Sequence, residues 1–389
     1  MNFISAKNRR RLLQIAGFAI RSLSLPISNF IISLMVIRLA DVALWGEFVY
    51  VFIIVNLASH IMAWGNVTHL FKEFSKAPAK IAALWQTNIA SRALFFLPFG
   101  LICYLLPISG NLKWMIFIWA VTIFLFKAFD VYIFYHRKYT FSTILEICGT
   151  VLFVLLLLYF RESLNVPRLI SIFTLVTFLK FAAAAIAFRR SLLQEFSFRV
   201  EISDLAKSFP FFLPPFLGIV QTKTDLYCVA YFLSTEEVGQ YQIFVNLLFN
   251  LQSIASFLIG PFIKNLFRLP DNSLEKLTRV MIKIGTLGLI PAMGMMYLVI
   301  HFVYQFQLDI TMYIAGYLFS LPFFIYVIKL YDLFKHDRQS AVVYITIAAG
   351  VMNLLLNIWL IHEFGMKGAL FASAIVQWVL LVAFFRLKA

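Results

Sequence analysis

Phe211 to Tyr241 reads FFLPPFLGIVQTKTDLYCVAYFLSTEEVGQY, and the fold turns on how that stretch is read. It is long and apolar enough to cross a bilayer, yet Gln221, Lys223 and Asp225 sit about midway along it. A charge at that depth costs at least about 2.5–3.5 kcal/mol on insertion scales, so it normally faces a polar cavity or a partner. Pro210, Pro214 and Pro215 crowd the start of the segment, where each removes a backbone donor and bends or ends a helix. A bent helix aiming ions at the centre of a bundle suits a polytopic membrane carrier with a polar central cavity.

Composition agrees with that class. Of the 389 residues 62% are hydrophobic and 13% charged, and 44 are Phe. No soluble single domain needs so much apolar surface, and apolar runs of 18 or more residues recur along the length. The expectation is an all-α integral membrane protein. The net charge of +15 would suggest nucleic acid in a soluble chain; here it is read as the Lys and Arg of cytoplasmic loops, with no nucleic-acid partner. Cys103, Cys148 and Cys228 lie in apolar segments without metal-ligand or CxxC spacing and read as packing residues. The basic cluster Lys7, Arg9, Arg10 and Arg11 precedes an apolar run that contains Arg21 and lacks a small-residue cleavage site, so the run is expected to stay as a first helix.

Twelve spans are expected, at 12–38, 43–64, 81–106, 113–135, 140–160, 167–188, 208–233, 239–262, 280–304, 310–331, 341–362 and 367–386. With the N-terminus inside, the cytoplasmic segments carry twenty-one Lys and Arg, against Lys113, Arg161, Arg168 and Lys367 on the other side. That asymmetry places both termini in the cytoplasm. The outer loops are too short for a folded domain. The polar stretch Arg189 to Lys207 is expected along the inner surface, giving an N-terminal six-helix bundle at 1–195, a connector at 196–207 and a C-terminal bundle at 208–389. A weak internal echo supports two halves: Leu39 to Phe48 and Phe232 to Tyr241 each place an apolar residue seven before a Gly, then a polar residue and an aromatic.

Five cations lie deep: Arg21, Arg92, Lys127, Lys180 and Lys223; the comparable acids are Asp130, Glu146 and Asp225. Lys127 and Asp130 share a helix face at i,i+3 and either neutralise each other or serve a site. Lys223 and Asp225, two apart, point in different directions, so Lys223 needs an acid from another helix or a ligand anion. Glu146 is a partner for a cation on a neighbouring helix or a titrating group. A surplus of cations in a low-dielectric cavity suits an anionic substrate, with phosphate the obvious group. The pairs Asn246/Asn250 and Asn353/Asn357 each present two amides on one face, for a cavity wall or for inter-helix hydrogen bonds. No HExxH, GxSxG or P-loop occurs, nor any His or Cys cluster with ligand spacing, so neither an enzyme nor a metal site is expected.

Thr222-Lys-Thr-Asp225 with Tyr231 to Tyr241, Asn353-Leu-Leu-Leu-Asn357 with Phe364-Gly-Met-Lys-Gly368-Ala369, and Arg38 to Phe48 together resemble the Wzx-type polysaccharide flippases of the multidrug/oligosaccharidyl-lipid/polysaccharide exporter superfamily. The resemblance covers the whole chain in layout through short, degenerate motifs, some shared with multidrug exporters. It implies a MATE-like fold of two six-helix bundles around a central cavity, opening alternately to each side of the bacterial inner membrane. The implied substrate is an oligosaccharide repeat on undecaprenyl pyrophosphate, moved outward for surface polysaccharide (O-antigen) biosynthesis, with a polymerase and a chain-length regulator as partners. Arg21 and Lys223 are the positions the resemblance places at the diphosphate; Arg92, Lys127 and Lys180 join them on depth alone. An H+ or Na+ gradient would drive transport through Asp225, Glu146 or Asp130. A multidrug/cation antiporter of the same fold is the alternative, which would want an anionic cavity. A polysaccharide polymerase would need a substantial outer loop.

Overall fold

The computed structural model describes residues 6–192, 198–259, 266, 269–336 and 338–387, without the side chains of 6–19, 22, 214, 257 and 271. Several expectations lie outside the described residues: the loop cations Lys264, Arg268 and Lys388, the side chains of Lys7, Arg9, Arg10 and Arg11, the boundary at 195, and the end of the span 239–262. Among the described residues all regular structure is helical. The chain divides into two compact units, one of Met1–Leu44 with Phe48–Phe216 and one of Trp45–Glu47 with Leu217–Ala389.

Unit 1 holds α1 (Ala6–Leu39), α2 (Val42–Ala63), α3 (Asn66–Lys76), α4 (Ile81–Ala93), α5 (Phe96–Leu105), α6 (Gly110–Lys127), α7 (Asp130–Tyr135), α8 (Tyr139–Tyr159), α9 (Val166–Leu192) and the first half of α10 (Ile202–Phe232). Within it α1 packs along α8 and α6 along α9. Leu70, Phe74, Trp85, Phe129, Tyr132 and Phe188 form one of its cores. Unit 2 holds the rest of α10, then α11 (Thr235–Ile259), α12 (Asp271–Leu298), α13 (Ile310–Lys335), α14 (Gln339–Phe364) and α15 (Met366–Arg386). Here α15 packs on both α13 and α14, over a core that includes Tyr326, Val342, Val376 and Phe384.

Nine described stretches are long and apolar enough to cross a membrane, against twelve expected; the apolar part of α1, Leu23–Leu39, is shorter, and α10 and α11 are helical over the seventh and eighth expected spans. Among the described spans, the one that begins in α12 ends in a π-helical turn at Val299–Tyr304, and three others turn or break. The second runs on, past Trp64 (φ 41°) and Gly65 (φ 69°), into α3, where a loop was expected. Gly65 is the residue that allows the turn: a Cβ there would stand 2.6 Å from the Phe212 nitrogen. The third breaks between α4 and α5 because Pro98 has no N–H for the Leu94 carbonyl. The fourth breaks at Ala128 and Phe129, where the Trp85 indole donates to the Ala128 carbonyl at 2.8 Å.

The burial pattern is inverted relative to a soluble bundle. On α8, Ile144, Ile147, Val151 and Leu155 face outward, while Thr143, Gly149 and Thr150 are buried. On α14, Val351, Leu354, Leu355 and Ile358 are exposed while Asn353 and Asn357 are buried. Apolar side chains outside and amides inside are what a hydrocarbon solvent selects, since an amide facing lipid has no partner.

The echoed glycine at 46 has a physical reason. A Cβ on Gly46 would fall 1.6 Å from the Thr235 carbonyl oxygen and 3.2 Å from the Gly239 nitrogen, so the two echoed segments touch backbone to backbone within unit 2. The Trp45 indole donates to Gln242 Oε1 at 3.0 Å beside them.

Candidate functional site

Unit 1 brings its deep cations to oxygen partners. Arg21 donates to Asp130 Oδ1 at 2.8 Å and to Ser142 Oγ at 3.0 Å, with its guanidinium 4.1 Å over the Phe134 ring. Lys127, one turn before Asp130, donates to Ser59 Oγ at 3.2 Å and interacts with Asp130 through space. Asp130 thus serves two cations. Lys180 meets Glu146 at 2.9 Å, so of the two roles left open for Glu146 the geometry supplies the neighbouring-helix partner.

Arg92 is the most enclosed of the five, at 0% exposure. Its guanidinium donates to Asp204 Oδ2 at 2.6 Å, to the Ala63 carbonyl at 3.0 Å and to the Trp64 carbonyl at 3.2 Å, the last two capping the end of α2. Asp204 also meets His69 Nε2 at 2.8 Å and accepts from Asn88 at 3.2 Å. Also on α4, Ser91 Oγ accepts from the Glu201 N–H at 2.9 Å, and Gln86 donates to the Leu192 carbonyl at 2.6 Å. α4 therefore fastens the chain on both sides of the polar connector, and Arg92 has no surface left for a cargo.

Unit 2 contains the other arrangement. Asp225, 2% exposed, accepts from the Tyr241 hydroxyl at 2.7 Å, from the Leu226 N–H at 2.8 Å and from Ser373 Oγ at 3.5 Å. Ser373 is also 3.4 Å from Asn353 Oδ1, and Asn357 donates to Asn353 Oδ1 at 3.0 Å. The Asn357 Oδ1 is buried without a hydrogen-bond partner among the described residues. Gln221, Thr222, Asp225, Asn353, Ser373 and Gln377 line a cavity of about 20 Å³, room for one water-sized occupant. A carboxylate among amide and hydroxyl groups, with no cation bonded to it among the described residues, is a donor set for a proton or a hard cation.

Lys223 stands apart from that cluster. It is half-buried, and its ammonium lies 5.0 Å from the centroid of the Phe249 ring. Among the described residues no carboxylate comes within ion-pair distance of it. A ring face supplies a weak electrostatic partner and leaves the ammonium's donors unsatisfied.

The sequence reading did not include Asp204, Tyr241 or Ser373 in the site. Asp204 lies in the polar connector, where an acid reads as solvated, and nothing in local spacing links it to Arg92. Tyr241 belongs to the echoed motif, sixteen residues after Asp225, a separation that only the α10–α11 turn closes.

No protein-family model and no curated protein matches the chain. Solved structures do match it in shape. An inward-facing multidrug resistance MATE transporter of the MOP superfamily is similar over 94% of this chain and 96% of its own, at 11% identity and a TM-score of 0.66. The lipid II flippase MurJ, in an inward closed conformation, is similar over 94% of this chain and 86% of its own, at 13% identity and a TM-score of 0.61. The eukaryotic MATE transporter AtDTX14 is similar over 98% and 96%, at 13% identity and a TM-score of 0.55. The all-α, MATE-like fold class expected from the sequence is the one the chain has, and it is a multi-pass membrane protein.

Proposed function

We propose that the chain is a flippase that carries an oligosaccharide repeat linked to undecaprenyl pyrophosphate across the bacterial inner membrane, with both termini in the cytoplasm. The two-bundle carrier fold and the Wzx-like motifs support the reading, and MurJ is a solved flippase of similar shape. The observation that carries it is Lys223: a half-buried ammonium on a membrane helix that lies against a ring, with Asp225 acting on it only through space. Such a group is stabilised by an anion that arrives and leaves, and a pyrophosphate offers several charged oxygens at once. Arg21, Lys127 and Lys180, held by Asp130, Ser59 and Glu146, serve as structural ties within unit 1.

Transport is driven by H+ or Na+ at Asp225, whose oxygen-rich pocket sits two residues from Lys223 on the same helix. A cation entering there changes the local charge next to the ammonium, which links the two occupancies. The same pocket favours the second reading, a cation antiporter, because an acid without a bonded cation also suits a cationic substrate.

Reconstitution separates them. In proteoliposomes holding the lipid-linked oligosaccharide, wild-type protein is expected to move the sugar to the face a glycosidase reaches. Lys223→Gln is expected to slow this at least tenfold and Lys223→Arg to keep most of it. A Lys223→Gln protein that flips normally, or a wild type that moves only cationic drugs, refutes the flippase reading.

A further inference from the structure

Unit 2 has a long apolar groove on the face of α15, away from the Asp225 pocket, with a volume of about 640 Å³. Ile375, Val379 and Val382 line it along α15 with Phe371, Trp378 and Leu318 beside them, and its one charged lining residue is Arg386, at the end of α15. The volume lies within the range of sites that enclose a whole small ligand. The wall is fixed, because the Trp378 indole donates to the Leu318 carbonyl at 3.1 Å.

We propose that this groove is a binding site for one anionic phospholipid of the bilayer, with a hydrocarbon chain along α15 and the phosphate on Arg386. From Phe371 to Arg386 the helix rises about 22 Å at 1.5 Å per residue. One leaflet contributes ~15 Å of the hydrocarbon core, so a chain whose headgroup sits on Arg386 covers about two thirds of that length. Leu318 stands beside the α15 face, so an acyl chain seated there meets side chains of two helices instead of one. Arg386 is exposed and no carboxylate pairs with it among the described residues. A guanidinium presents a planar fork of donors to phosphate oxygens, which fits an anionic head better than a choline one. The chemistry here is a phosphate bearing long chains, and the occupant is a resident lipid, since the groove is open and apolar and carries no sugar-binding polar groups.

The test uses the purified full-length protein in detergent, with dioleoylphosphatidylglycerol and dioleoylphosphatidylcholine as probes and native mass spectrometry as the readout. Wild type is expected to retain one phosphatidylglycerol in preference to phosphatidylcholine by about fivefold, the effect of one basic residue at a membrane surface. Arg386→Gln is expected to remove that preference and Arg386→Lys to keep part of it. Val382→Trp, which fills the groove from an exposed position, is expected to lower retention of both lipids while thermal unfolding stays put. Equal retention of the two lipids by wild type, or an unchanged preference in Arg386→Gln, overturns the proposal. Retention of polyprenyl phosphate with no retention of phosphatidylglycerol overturns the assignment to a resident lipid. None of these outcomes depends on what the protein transports.

Discussion

In unit 1, Arg21, Arg92 and Lys180 each meet a carboxylate at 2.6–2.9 Å, and Lys127 rests on a hydroxyl beside one of those acids. In unit 2, Lys223 faces an aromatic ring, and the acid two residues along is turned into a pocket of amides and hydroxyls. The same residue types at similar depth therefore do different work. A buried cation with a carboxylate is a structural tie, because its field is spent on its partner. A half-buried cation against a ring, with its nearest acid acting only through space, keeps more of its field for whatever comes near. The count of deep cations overstates the positive site, and the partner of each decides its role.

The sharpest way to break this contrast is Arg92. Removing its guanidinium leaves Asp204 enclosed without its strongest partner, and breaking such a pair costs about 3–5 kcal/mol. Arg92→Ala and Asp204→Asn are both expected to lower the unfolding midpoint strongly, and Arg92→Met with Asp204→Leu to recover much of it. An Arg92→Ala protein with wild-type stability but no transport would make Arg92 a cargo contact and erase the distinction between the units.

Next in size is Tyr241→Phe, which takes the shortest hydrogen bond from Asp225. A bond to a charged group contributes about 1.5–3 kcal/mol, so moderate destabilisation and a shifted dependence of transport on the driving cation are expected. Unaltered stability together with an unaltered cation profile would remove Asp225 from the coupling role.

The smallest effect is expected outside the membrane, where Asp309 caps α13 and pairs with Lys367. The Lys367 ammonium, then the Thr311 N–H, hold the Asp309 carboxyl down at about 2. An unfolded Asp titrates near ~3.9, so this contribution is fully present above about pH 4 and is lost as pH falls toward 2. Comparing Asp309→Asn with wild type across pH should show a small difference at neutral pH that vanishes in that window. A difference that grows on acidification would contradict the pairing.

The membrane class was legible in the sequence because hydrocarbon demands it of every helix; the alternation that leaves Val351 and Leu355 outside and Asn353 and Asn357 inside is written in the periodicity of α14. Local spacing also held part of the site, since Lys127 and Asp130 share a face and Lys223 and Asp225 do not. Contacts between distant segments were not legible. Arg92 lies 112 residues from Asp204, and Arg21 109 from Asp130, so which acid serves which cation depends on how helices pack and not on their own pattern. The break at Ala128 has no proline to announce it, and only the Trp85 indole, 43 residues away, accounts for it.

In the proposed function Lys223 is the ammonium that meets the cargo's phosphates, and affinity for that headgroup reads this role most directly. Calorimetric titration of undecaprenyl pyrophosphate into the purified protein is the measurement. At least tenfold weaker binding is expected in Lys223→Gln, and at most a twofold change when Lys180 and Glu146 are neutralised together as Lys180→Gln with Glu146→Gln. Equal affinity in wild type and Lys223→Gln, with the loss appearing in the Lys180/Glu146 double variant instead, would contradict it.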